Sequence, residues 1–246
     1  MIDITFKTYS DANGGDPDAT SPTLKRYHKQ LWTKPLPNGK LFELSDSTPY
    51  AYLSHQTDHG VLYLGSDAIT HSYRNQRRKQ ALIAEVTEDA NALFEIGSTI
   101  GAYILFPNKQ IDRMPTINQA RGVNTYIDDR FDLTLECIRR HYLGIPSPLT
   151  KVLTRYHSFF ELFEDFQHYV DFFFLNDLVD KQNEIKFYLP FDGFNTKPGF
   201  NNKAEYLLYK QGVTEFVARR NGRIEQYANQ HLDLLTLRDF CFFGGE

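Results

Sequence analysis

Cysteine, methionine and tryptophan are scarce in this chain: 2 Cys, 2 Met and 1 Trp in 246 residues. Two cysteines as far apart as Cys137 and Cys241 make no disulfide framework and point to a reducing compartment. No apolar run, 172–175 included, is long enough to span a bilayer. The opening MIDITFKTYS lacks the basic and apolar regions of a secretion signal. We therefore expect a soluble, cytoplasmic protein with no membrane partner. Excess positive charge is also missing. The net charge of −4 gives no long-range attraction to nucleic acid, although a local basic patch stays open. There is no GxSxG nucleophile elbow, no internal repeat and no low-complexity tract.

Aromatics, in contrast, are abundant at 15%, with 20 Phe and 15 Tyr, so rings must supply much of the core. The length suits one domain over 1–246. Alternation predicts strands over 2–8, 41–44, 50–54, 61–64, 99–106 and 185–189. Helical periodicity predicts helices from the Ser21-Pro22 cap, over 75–86 and 88–96, from 129 to a stop at Gly144, from Ser147 through 163, over 170–179 and over 203–229. Gly212 reads as a weak point in the last. The expected fold is α+β, a mainly antiparallel sheet from the N-terminal half packed against a mostly helical C-terminal half.

Charge and amide groups are densest in 116–142. Asp132, Glu136 and Arg140 follow one another at i, i+4, i+8 on a helix, with Arg139 alongside and Asn118 and Arg121 in the preceding turn. Neighbouring carboxylates drive each other's proton affinities apart, so Asp132 and Glu136 are candidate acid–base groups. Asn118, Arg121, Arg139 and Arg140 are candidate ligands for an anion, since guanidinium groups hold phosphate or carboxylate through paired bonds. The competing reading is a structural ion-pair network that ties 116–128 to the helix.

Other groups carry less. His55, His59 and His71 match no metal spacing, and no metal site is assigned. The Asp-rich loop 11–18 fails the EF-hand template and reads as turn chemistry. Cys137 reads as a core thiol. Two basic groups, Lys25, Arg26, Lys29, Lys34 and Lys40 among aromatics, and Arg74, Arg77, Arg78 and Lys79, read as solvated faces. They would matter for a nucleic-acid strand if they shared a side.

Several segments resemble a bacterial family known only as a domain of unknown function. They are SPTLKRYHKQLW with KPLPNG (21–39), TINQARG (116–122), DRFDLTLECIRRHY (129–142), SPL (147–149), YVDFFFLNDLV (169–179) and LPFDGF (189–194). The resemblance implies a single unit and transfers no activity, cofactor or catalytic residue. Cofactors stay unassigned. The functional expectation is binding or processing of a phosphate-bearing ligand, a nucleotide or nucleic-acid end, at the Arg/Asp/Glu cluster. The alternatives are a non-catalytic interaction module docking a partner or a second copy of itself, and a toxin-like or defence factor acting on nucleic acid.

Overall fold

The computed structural model describes residues 1–46 and 52–241, with side chains described as far as His231. The sheet is built from β1 (Leu53–Thr57), β2 (Gly60–Ala68) and β3 (Tyr103–Pro107), antiparallel in the order β1-β2-β3. The turn at Gly60 sets the β1–β2 register, pairing Thr57 with Gly60 and Leu53 with Leu64. Against β3, Asp67 pairs with Ile104. Short helices α1 (Pro17–Thr20) and α2 (Pro22–Trp32) precede the sheet, and α3 (Gln80–Glu85) and α4 (Thr87–Ile96) lie between β2 and β3. After β3 come α5 (Ile117–Val123), α6 (Phe131–Tyr142), α7 (Thr150–Arg155), α8 (His157–Phe160), α9 (Phe166–Phe172) and the long α10 (Lys203–Cys241). The fold is α+β.

Ser21 caps α2 by accepting from Leu24 N (3.1 Å), and Pro22 opens the helix, where its missing N–H costs nothing. One buried apolar cluster runs from Ile2 to Ala228. Its ring layer joins Trp32 to Phe172 and Phe173 and continues through Phe163, Tyr169 and Phe159. Helix α10 seals this layer with Arg220, which is fully buried. Arg220 donates to Phe173 O (3.0 Å) and to Gly101 O and Tyr103 O (2.8 Å each). No carboxylate pairs with it among the described residues, and burial pulls its proton affinity down to about 9. The guanidinium still keeps its charge at neutral pH.

Several predicted elements take another form. Residues 2–8 make no strand. Their buried ends are held instead by Thr8, whose N–H donates to Ser98 O (2.9 Å) and whose hydroxyl bonds Tyr103 Oη (2.7 Å). Residues 41–44 and 185–189 contribute only isolated bridges, Pro35 to Leu41 and Val179 to Ile185. Residues 50 and 51 of the strand predicted over 50–54 lie outside the described residues. The strand predicted over 99–106 starts later, because a 3-10 turn over Ile100–Ala102 precedes β3. Asn221 Oδ1 accepts from Gly101 N (2.8 Å) there, and a Cβ on Gly101 would meet that oxygen at 2.5 Å. The helix predicted over 75–86 divides into a 3-10 turn, Arg77–Lys79, and α3.

The helix from Ser147 breaks into α7, α8 and a 3-10 turn. That over 170–179 stops at Phe172, because Phe174 takes a positive φ of 54° and Arg220 claims the Phe173 carbonyl. Gly212 is a contact rather than a weakness. A Cβ there would meet the Tyr188 ring at 2.7 Å. Among the described residues, no helix is long and apolar enough to cross a membrane.

Candidate functional site

Helix α6 is enclosed: every residue from Phe131 to Ile138 is buried. Its acids therefore need partners, and each finds one close by in sequence. Asp132 is gripped by Arg130 through two bonds and accepts from Tyr188 N (3.0 Å). Glu136 is held between Arg139 Nε (2.8 Å) and Arg140 Nε (2.7 Å), with Glu184 on the outer side of Arg139 (3.1 Å). Arg121 is buried at 1% exposure. It donates to Asp67 Oδ2 (2.9 Å), Ala68 O (2.9 Å), Asp129 O (3.2 Å) and Thr134 Oγ1 (3.3 Å). The five charged residues among the six predicted site residues thus fall into separate hydrogen-bonded groups. They do not converge on one cleft, because burial binds each charge to its nearest countercharge. Only Asn118 lines a large cavity.

That cavity, about 790 Å³, lies between the β2 and β3 edge, α1 and the start of α5. Asp67 on β2 is buried, and its carboxylate is fixed by Arg121. One residue on, Ala68 N donates to Asp18 Oδ2 (2.9 Å), which draws α1 onto the strand and brings a second carboxylate beside the first. Asp16 caps α1 and faces the same space. Burial and the charges of Asp67 and Asp16 push Asp18 up to about 7. Burial pushes Asp67 up to about 6, against the pull of Arg121. Asn108 and Asn118 line the cavity with side-chain amides that have no hydrogen-bond partner among the described residues.

Tyr52 and Ser66 also line this cavity. The buried Tyr52 hydroxyl lies near Ser66 but, among the described residues, lacks a partner in bonding geometry. Ser66 Oγ sits 3.0 Å from His28 Nε2, while Trp32 Nε1 donates to His28 Nδ1 (2.9 Å). The indole has only a donor, so Nδ1 is the acceptor and Nε2 carries the proton. His28 therefore donates to Ser66 and cannot serve as its base. Full burial lowers its basicity to about 3, which keeps it neutral. The serine is a hydrogen-bonding group here, not an activated nucleophile.

The first basic group is largely occupied. Lys25 and Lys29 share Asp46 (2.9 and 2.5 Å), and Lys40 pairs with Asp58 (2.5 Å). Lys34 donates to Phe172 O (2.5 Å) inside a cage of Trp32, Phe172, Phe174 and Tyr227 rings. Burial lowers that amine to about 7. His55 and His59 line one small cavity and His71 another. Cys137 is buried, and burial pushes its thiol up to about 12, as suits an inert core group.

Residues 2–224 match a family described as a family of unknown function, DUF6994. The chain belongs to this family. No curated protein and no solved structure matches it. For this DUF6994 member the site must therefore be argued from its own geometry. Sequence reading missed Asp18 and Asp67, 49 positions apart by number, because Asp18 looked like one more turn acid. The available signal was Asp67, the one charged residue near the end of the mostly apolar VLYLGSDA strand.

Proposed function

We propose that the Asp18/Asp67 cleft binds a small, hydroxyl-rich molecule, neutral or positively charged, and that the two carboxylates exchange protons with it. The supporting observation is their placement: each is fixed by protein donors, side by side, on the wall of the largest described cavity. The unpartnered amides of Asn108 and Asn118 and the Tyr52 and Ser66 hydroxyls both donate and accept, as a polyol requires. Three acids face this cleft against one lysine, Lys25, which Asp46 already holds. A phosphate is repelled from this cavity. The interaction-module reading draws less support. Large exposed apolar residues such as Val123, Leu143 and Leu208 sit on different elements.

The test combines ligand and pH. An unfolded aspartate titrates near 3.9, as a rough reference. With Asp18 raised to about 7, the folded chain holds the extra proton between those values, so stability falls as pH rises through this window and levels above about 7. Asp18→Asn removes the penalty. We expect it to be more stable than wild type at pH 8 by about 1–2 kcal/mol, discounted for solvent in the cleft, and nearly equal at pH 4. In a thermal-shift panel of neutral sugars, aminosugars, nucleosides and their phosphates, an unphosphorylated member should raise the wild-type melting point by roughly 5 °C or more near saturation. Asp18→Asn and Asn118→Ala should lose that shift. A shift given only by phosphorylated members, or kept by both variants, removes the proposal.

A further inference from the structure

A second cavity, of about 400 Å³, opens between the Gln76–Arg78 turn and the C-terminal end of α5. It holds the part of the second basic group that the fold leaves unpaired. Arg77, Arg78 and Lys79 are consecutive in one 3-10 turn. Lys79 turns inward, pairs with Asp128 (2.9 Å) and covers the Phe200 ring at 3.8 Å. Asp128 is the one acid on the cavity wall, and this bond neutralises it. Arg77 and Arg78 line the cavity and are exposed. Among the described residues they make no ion pair and no side-chain hydrogen bond.

Two further features face the same space. Gln76 lines it too, with its amide oxygen tucked inward and, among the described residues, without a hydrogen-bond partner. A half-turn of that amide exchanges oxygen for NH₂, so its buried end can either accept or donate. A buried polar end left unmatched is costly, so the amide gains by turning outward to a ligand. Opposite, a Cβ on Gly122 would meet nothing within 4 Å, so the wall is open there.

From these residues we infer a second binding site, for the phosphate group of a small phosphate monoester. Arg77 and Arg78 hold the phosphate oxygens, and the Gln76 amide bonds the organic part. Paired guanidinium donors suit a phosphate's oxygens. The cavity exceeds a bare phosphate and matches a small organic phosphate. With net charge −4 the chain as a whole does not favour a polyanionic strand. This site is independent of the Asp18/Asp67 cleft.

Calorimetric titration at low salt tests it with four probes: inorganic phosphate, a nucleoside monophosphate, the same nucleoside, and a single-stranded oligonucleotide. The monophosphate should bind at least tenfold tighter than the nucleoside and tighter than inorganic phosphate. Arg77→Ala with Arg78→Ala should lose at least tenfold. Gly122→Leu fills the opening without touching either arginine, and a leucine suits a helix better than glycine does. It should lose as much while melting no lower than wild type. Asp18→Asn should leave monophosphate affinity unchanged. Equal affinity for monophosphate and nucleoside, full binding by Gly122→Leu, or an oligonucleotide that binds more tightly than the monophosphate in proportion to its length overturns the assignment.

Discussion

Arg220→Ala should destabilise the protein by about 3–5 kcal/mol, since buried carbonyls left without a donor cost about 1–3 kcal/mol each and the variant relieves only the burial of one charge. Three carbonyls, of Phe173, Gly101 and Tyr103, lose their donor at once. These belong to the ring layer after α9 and to the approach to β3, so one side chain ties α10 to both. Arg220→Lys should recover little. An ammonium is a point donor, and it cannot span the positions that the planar fork reaches. The neighbouring Arg219 is exposed and meets only Glu215 at 3.6 Å, so Arg219→Ala should stay within about 0.5 kcal/mol. Urea denaturation of the three variants measures this. Similar midpoints for Arg219→Ala and Arg220→Ala would show that the buried guanidinium contributes nothing beyond its helix.

Arg121→Ala should be comparably damaging, but with a pH signature. It strips the buried Asp67 of its countercharge and leaves Ala68 O and Thr134 Oγ1 without this donor. Breaking one side of such a pair costs about 3–5 kcal/mol. Arg121 is the main influence holding Asp67 down near 6, so its loss raises that carboxyl further. Protonating Asp67 removes the exposed imbalance. The deficit should therefore be largest at pH 8, shrink as pH falls towards about 6, and level off below that, where Asp67 is protonated with or without the arginine. Adding Asp67→Asn should restore much of the loss at pH 8, a non-additive pair in a double-mutant cycle. A deficit that is constant from pH 5 to pH 8 would mean that the arginine acts through packing alone.

The elements that were readable from sequence carry their information locally. The Ser21-Pro22 cap, the Gly97 stop and the apolar stripe of α6 involve neighbours a turn away. What stayed hidden depends on contacts distant in the chain. The alternation over 2–8 could not reveal that, among the described residues, no strand pairs with it. The three apolar rings at 172–174 look helical until Arg220, 47 residues away, takes a carbonyl. The charge run in 116–142 was readable as a group, but its division into private pairs was not. That division follows from the burial of α6 on all sides. Asp18 reaches its place through a bond to Ala68, 50 positions away, which no spacing rule anticipates.

The single tryptophan gives the cleft an optical reporter. Trp32 is wholly buried, and its indole N–H leads through one imidazole to Ser66 on the cleft wall. All indole emission therefore arises from one environment, two hydrogen bonds from the Ser66 hydroxyl on the cleft wall. Occupancy is readable as a change in intensity or wavelength from the unlabelled chain, with no second fluorophore of its kind to dilute the signal.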